Sequence, residues 1–256
     1  MWSKIKLTKT ARIAAAFVVM LSLIAFVGRD QDAELCTDII IRIENQANNY
    51  FLDKEDVQRL LTNNGSEMIV GRRYSELDLK VLEQRLKEEK FVKQSQVYKD
   101  LKGNVMAKIT LRRPVARIVQ SGKEGAYIAE DGTLLPTSYK FSSRVVLLSG
   151  SYFKKVLAEE DLNAKEANDV LDLVAFIQND EFWSAQIAQI DIDTKGNVML
   201  YPQVTKQYVK FGKIDEVEDK FTRLKVFYKQ VLPRKGWNYY DGIDLRFKDQ
   251  AIGIKS

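Results

Sequence analysis

Histidine is absent from all 256 residues, which removes most of the side-chain chemistry a chain of this size could offer. Without an imidazole there is no Ser-His-Asp or Cys-His nucleophile and no His-based metal site. The one cysteine, Cys36, has no internal disulfide partner and reads as an inert or buried thiol rather than an intermolecular bridge. Ser151 and Lys154 have the S-x-x-K spacing of a serine acyl-enzyme. The companion S-D-N and K-T-G elements are missing, however, and the segment reads as a loop between a strand and a helix. Asp191, Asp193 and Lys195 start like a calcium loop, yet lysine stands at its fifth position and Pro202 at its twelfth, where a bidentate glutamate is required. A strand running into a Lys195-Gly196-Asn197 turn accounts for them better. Glu159 and Glu160 are adjacent acids on a polar segment, the pattern of solvated charge more than of acid–base work. No glycine-rich phosphate loop occurs, so no catalytic residue, cofactor or metal is expected.

A chain without chemistry of its own acts through where it sits and what it touches. Four of its five net positive charges lie in residues 1–12, at Lys4, Lys6, Lys9 and Arg12, leaving +1 for the remainder. The basic balance is therefore a topology signal. Arg72 and Arg73, like Arg112, Arg113 and Arg117, form local clusters without interleaved aromatic platforms, so nucleic acid is not an expected partner.

An almost unbroken apolar run from Ile13 to Val27 follows the basic tail, and Arg29, Asp30, Asp32 and Glu34 follow the run. Bases before and acids after a hydrophobic segment put its N-terminus in the cytoplasm. Counted from Ala11 to Gly28, with Arg12 snorkelling, the helix spans ~27 Å against a hydrocarbon core of ~30 Å. A signal-peptide core has similar length, but Ala25-Phe26-Val27 puts valine where cleavage needs a small residue. Glu34 and Leu35 before Cys36 likewise exclude a lipidation site. These features predict a cytoplasmic tail (1–12), an uncleaved transmembrane helix (13–28) and a folded portion of about 220 residues outside, enough for two modest cores.

That portion begins with a β-branched strand, Asp38 to Glu44. A helix starts near Asp53, with Asp56 at the capping-box position and Val57, Leu60 and Leu61 on one face. A second starts near Ser75, with Asp78 completing a box and Leu79, Leu82 and Leu86 as its stripe. Phe91–Lys99 and Asn104–Arg112 alternate like strands around a hairpin turn at Asp100 to Gly103. Pro114, with no donor for a continuing ladder, closes a strand–helix–helix–strand–strand unit over 38–113. From 114 to 256 short strands dominate: Arg117–Gln120, Ala126–Ala129, Thr133–Pro136, Arg144–Ser149, Ala185–Asp193, Asn197–Tyr201, Gln207–Phe211, Tyr239–Phe247 and Ala251–Lys255. Two helices interrupt them. One is capped at Asn163 with Glu166 at the box position and carries Val170, Leu171, Val174 and Ile177. The other starts near Asp215 and carries Val217, Phe221, Leu224, Tyr228 and Val231. The fold class is α+β, with a curved, largely antiparallel sheet in the second domain.

The element order of 38–113 resembles a POTRA domain, and Leu111-Arg112-Arg113-Pro114-Val115-Ala116 resembles the "E-R-x-P-V-A" stretch closing the POTRA domain of the FtsQ/DivIB cell-division family. The run Tyr127 to Pro136, with its Asp131-Gly132 turn, and the strand Asp244-Leu245-Arg246 are similar to the family's aspartate-glycine turn and its closing "D-L-R-Y" hairpin. The resemblance covers nearly the whole chain. It implies a non-enzymatic bitopic scaffold of the divisome, in the bacterial inner membrane with most of the chain outside the cytoplasm, linking early cytoplasmic to late periplasmic division proteins.

The last strand, Ala251 to Lys255, is expected to leave an open sheet edge to which an extended segment of another protein can add. The resemblance implies that this partner is the membrane-proximal ectodomain of FtsB, with FtsL alongside. Arg246 would then pair with an acid of the partner, Phe247 would pack against it, and Ala251, Ile252, Gly253, Ile254 and Lys255 would supply the edge. A family aromatic near the end of the last strand has no counterpart, since Ile254 and Lys255 occupy the region. The alternative is a POTRA-containing adaptor for envelope protein transport or assembly. Transport pores of that type carry a membrane barrel, for which the strands after Pro114 are too few and too interrupted by helices.

Overall fold

The computed structural model describes residues 15–22, 34–46, 48–159 and 164–255. Residues 15–22 are helical, with Phe17, Val18, Val19, Met20 and Leu21 all exposed. Among the described residues no helix is long and apolar enough to cross a membrane. Most of the span expected over 13–28 lies outside them, as do the tail 1–12, Arg29, Asp30, Asp32, Glu160 and the Asn163 cap. Beyond this segment the chain divides into two units. Leu52–Leu111 joins the residues up to Glu44, and the residues from Arg112 onward take in Asn45–Phe51.

The first unit runs β1 (Ile39–Glu44), α1 (Lys54–Leu61), α2 (Leu79–Glu88), β2 (Val92–Lys99) and β3 (Val105–Leu111), the expected order. Its sheet order is β1-β3-β2, with β3 parallel to β1 and antiparallel to β2. At α1 the expected capping box forms in both directions: Asp56 N donates to Asp53 Oδ1 at 2.8 Å and Asp53 N to Asp56 Oδ2 at 3.1 Å. At α2 the expectation is corrected. Tyr74–Glu76 forms a separate 3₁₀ turn, and Asp78 is itself the cap, accepting from Lys80 N and Val81 N. Asp78 takes the helix from Ser75 because two amides reach its carboxylate and a short 3₁₀ turn cannot continue past Leu77. Val57, Leu61, Leu82 and Leu86 of the helices and Val105, Ala107, Ile109 and Leu111 of β3 are all buried.

One turn sequence appears twice. Asp100-Leu-Lys-Gly103-Asn104 joins β2 to β3, and Asp193-Thr-Lys-Gly196-Asn197 joins β8 (Ile187–Ile192) to β9 (Val198–Pro202). In each, one aspartate oxygen accepts the amides two and four residues on, and the other accepts the asparagine side chain at 2.8–2.9 Å. Glycine supplies the left-handed residue, at φ +78 and +73. These bonds hold both carboxyls below their usual range. With Asp191 Oδ2 taken by Ser149 Oγ at 2.5 Å, the two acids of the would-be calcium loop are separately engaged.

The second unit begins with Pro114, and here too an expectation is corrected. Pro114 opens β4 (Pro114–Gln120) instead of closing the preceding unit, occupying the first strand position, where a missing N–H is tolerated. β5 (Lys123–Ala129), β6 (Leu134–Pro136) and β7 (Val146–Ser149) follow, then three helices, α3 (Ser151–Glu159), α4 (Ala164–Asn179) and α5 (Glu181–Gln186). After β8 and β9 come β10 (Tyr208–Gly212) and α6 (Val217–Val226). α6 passes through a π turn (Phe227–Val231) into α7 (Leu232–Lys235). Pro233 has no amide to donate four residues back, so the ladder opens just ahead of it. β11 (Gly242–Asp244) and β12 (Ile252–Ile254) complete the order.

Two expected helices are thus five among the described residues, and Ser151 and Lys154 lie on the first turn of α3 instead of in a loop. The sheet order is β12-β11-β10-β9-β8-β7-β4-β5-β6. It is mixed rather than largely antiparallel, because β4 and β7, β7 and β8, and β10 and β11 pair in parallel. A parallel pair needs a crossover: α3–α5 supply it between β7 and β8, and α6 with α7 between β10 and β11. Phe153, Leu173, Trp183, Phe221 and Leu224 of these helices share one core with Ile118, Leu148, Leu200, Phe211 and Ile243 of the sheet.

Candidate partner-binding edge

β12 owes its place to three contacts that sequence periodicity does not encode. Its ladder is antiparallel to β11, pairing Ile252 with Asp244, Gly253 with Ile243 and Ile254 with Gly242. Asp241 N donates to Ile254 O at 2.9 Å, extending the pairing by one step. The Tyr240 ring lies directly over Gly253, where a Cβ would stand 2.3 Å from Tyr240 Cε1. Beyond the strand, Lys255 Nζ sits 3.7 Å from the Tyr239 ring centroid, and its ammonium holds the Tyr239 phenol below the usual tyrosine range. Tyr239 and Tyr240 meet edge to face at 4.8 Å, and Tyr240 backs onto Phe227 at 5.5 Å. β12 is the outermost strand on its side of the sheet among the described residues. One row of its backbone groups therefore faces no other strand. Ile252 is exposed, Gly253 and Ile254 are half-buried, and Ala251 and Lys255 flank the strand itself.

The turn between β11 and β12 hangs on Arg223 of α6. Its Nη1 donates to the carbonyls of Phe247 (2.9 Å), Leu245 (3.5 Å) and Gln250, while Nε binds Asp219 Oδ2 at 2.8 Å. Asp249 supplies the left-handed residue, at φ 58. Phe247 projects from this turn half-exposed. Arg246, expected to meet an acid of a partner, already has one two residues back at the end of β11: Nη2 binds Asp244 Oδ2 at 2.6 Å and Nε binds Oδ1 at 2.9 Å. Arg246 N also donates to Asp244 Oδ1 at 3.1 Å, so the D-L-R spacing brings the two together just past the strand. Its stem lies over Gly212, whose φ of +81 and missing Cβ make the room. Beside the turn, a groove of ≈ 330 Å³ gathers Lys213, Lys220, Arg246 and Lys248 with Asp215 and Glu216. The buried Lys220 is neutralised there by Asp215.

Two family profiles divide the chain as its contacts do. Residues 34–110 match the POTRA-like domain, and residues 113–253 match the family described as FtsQ/DivIB, C-terminal related. The chain belongs to the FtsQ/DivIB family. This is a family of non-enzymatic, membrane-anchored cell-division proteins. Comparison of the whole chain with characterised proteins returns no match. Beside Pro114, Arg112 and Arg113 pair with the acids of the next turn, Asp131 at 3.1 Å and Glu130 at 3.8 Å. The Arg117 guanidinium lies over the Tyr127 ring.

Of the expected edge residues, Arg246 and Phe247 lie just after β11, in the connection to β12, and Ala251 to Lys255 form β12 and its flanks. Arg223, Tyr239 and Tyr240 were missed. Gly253 within a strand was the available signal for a close neighbour; the reach of Arg223 across the fold had none.

The Asp244–Arg246 pair makes the edge sensitive to acid. Hydrogen bonding by Arg246 outweighs burial and lowers the Asp244 carboxyl below its usual value. A depressed carboxyl contributes stability above the unfolded value of about 3.9 and loses it as pH falls through the folded value. Asp244→Asn should therefore be less stable than the wild type at neutral pH, with the gap narrowing as pH falls below the unfolded value and the wild-type carboxyl takes up its proton. Urea midpoints at pH 7 and pH 3 measure it; an equal gap at both would remove the pair from the account.

Proposed function

We propose that this chain is a single-pass scaffold of the bacterial divisome, anchored through residues 13–28 with both folded units outside the cytoplasm. In that role it links early cytoplasmic to late periplasmic division proteins. It binds the membrane-proximal ectodomain of FtsB, with FtsL alongside, by strand addition to β12. The observation that supports this reading is an outermost strand seated by a dedicated clamp and an aromatic pair. Main-chain groups of an added strand supply affinity and the flanking side chains supply choice. Phe247 offers an apolar contact, and Arg246 offers the guanidinium edge left over from Asp244. The basic tail and the exposed apolar helix at 15–22 support the anchored orientation.

Deleting Asp249–Ser256 should leave a membrane-bound protein with a cooperative unfolding transition that no longer recovers FtsB from detergent extracts. Undiminished recovery would sink strand addition at β12.

A further inference from the structure

At the opposite end of the β10–β11 pair from the Arg246–Phe247 turn, a cleft of ≈ 790 Å³ opens between residues 204–208 and 237–241. Clefts of this size hold small ligands. Its floor is Gln207, 3 % exposed. Gln207 Nε2 donates to Trp237 O at 2.9 Å and Tyr240 O at 3.0 Å, which fixes the amide and leaves Oε1 buried with no partner. Thr205 Oγ1, in the same wall, is also buried and unpartnered. Two polar oxygens held ready at one place are costly unless a ligand satisfies them.

The geometry points to a neutral saccharide as that ligand. Trp237 is 49 % exposed and presents a flat apolar face of the kind the C–H side of a sugar ring covers. Gln186 and Asn238 add carboxamides that both donate and accept, matching hydroxyls. Lys206 and Asp241 contribute one charge of each sign, so the cleft does not select an ion. An added peptide strand is disfavoured because much of the main chain here is already paired. Tyr208 N bonds Asp241 O, Asp241 N bonds Ile254 O, Gln203 N bonds Gln186 O, and Gln207 Nε2 takes the carbonyls of Trp237 and Tyr240. Recognition falls to side chains, as sugar recognition does.

The test uses the full chain in a sugar-free zwitterionic detergent, with the β-1,4-linked tetramer of N-acetylglucosamine, maltotetraose and a capped tetra-alanine peptide as probes. Trp2 is replaced by phenylalanine (Trp2→Phe) in the protein used and Trp183 is buried, so a saturable change in tryptophan fluorescence should come from Trp237. It is expected with at least one saccharide and should vanish in Trp237→Phe. Thr205→Ala, which removes a hydroxyl with no internal partner, should weaken the calorimetric affinity by about five-fold. The proposal is overturned by no saturable response to either saccharide, by a response that persists in Trp237→Phe, by binding of the peptide alone, or by an unchanged affinity in Thr205→Ala.

Discussion

Trp183→Ala is expected to lower the stability of the second unit by about 3–5 kcal/mol, the range for emptying a buried aromatic site. Trp183 is 1 % exposed and lies where three crossover helices meet. Asp180 caps α5 by accepting Phe182 N at 2.8 Å and Trp183 N at 3.0 Å, which aims the indole inward. The ring then meets Phe182 at 4.8 Å, Phe221 at 4.9 Å and Tyr228 at 6.0 Å, and Phe221 stacks on Phe176 and touches Phe211. Burial pushes the Tyr228 phenol up to about 12, a mark of how dry this core is. No neighbour can collapse into the void without breaking a second ring contact. At ~2–4 °C per kcal/mol for a unit of this size, the midpoint of thermal unfolding should fall by about 10 °C. A shift under about 3 °C would mean that the ring cluster does not hold the crossover.

Gly253→Val is expected to separate binding from folding. The new Cβ would stand 2.3 Å from Tyr240 Cε1 and 2.4 Å from Cδ1. The ring cannot swing aside, since Phe227 and Tyr239 hold its other sides. β12 must lift from β11, while the core, to which it adds little buried area, stays closed. The affinity for the FtsB ectodomain should drop at least ~10-fold, or ~1.4 kcal/mol, with the thermal midpoint nearly unchanged. Ile252→Val, at an exposed position, serves as the neutral control. Equal affinities for Gly253→Val and wild type would place the partner elsewhere.

What could be read in advance follows the range of the interactions. The Asp53–Asp56 box, the Leu82–Leu86 stripe and the Asp100–Gly103 hairpin lie within a few residues, and each stood as expected except for the Ser75 start. α5 has six residues, fewer than two turns, so Trp183 shows no period. α3 was hidden because Gly150, at φ +106, and Ser151 read as loop, although Phe153 and Val156 stand at helical spacing. Parallel pairs such as Leu148 with Ile190 or Val209 with Ile243 leave no local trace. At the edge, the two closing strands were legible in outline, but their register was not. The Arg223 clamp spans 22 to 27 residues and could not be.

The parallel pairing of β10 with β11 carries a consequence for the order of events. β12 has only β11 to pair with, and β11 cannot dock on β10 until α6 and α7 have folded back across the sheet. Non-local pairings of this kind form late, after the loop entropy has been overcome. The docking edge is thus the last part of the domain to exist. Under the proposed strand addition, a half-folded chain offers a partner nothing to hold, so binding at this edge would double as a check that the domain has folded.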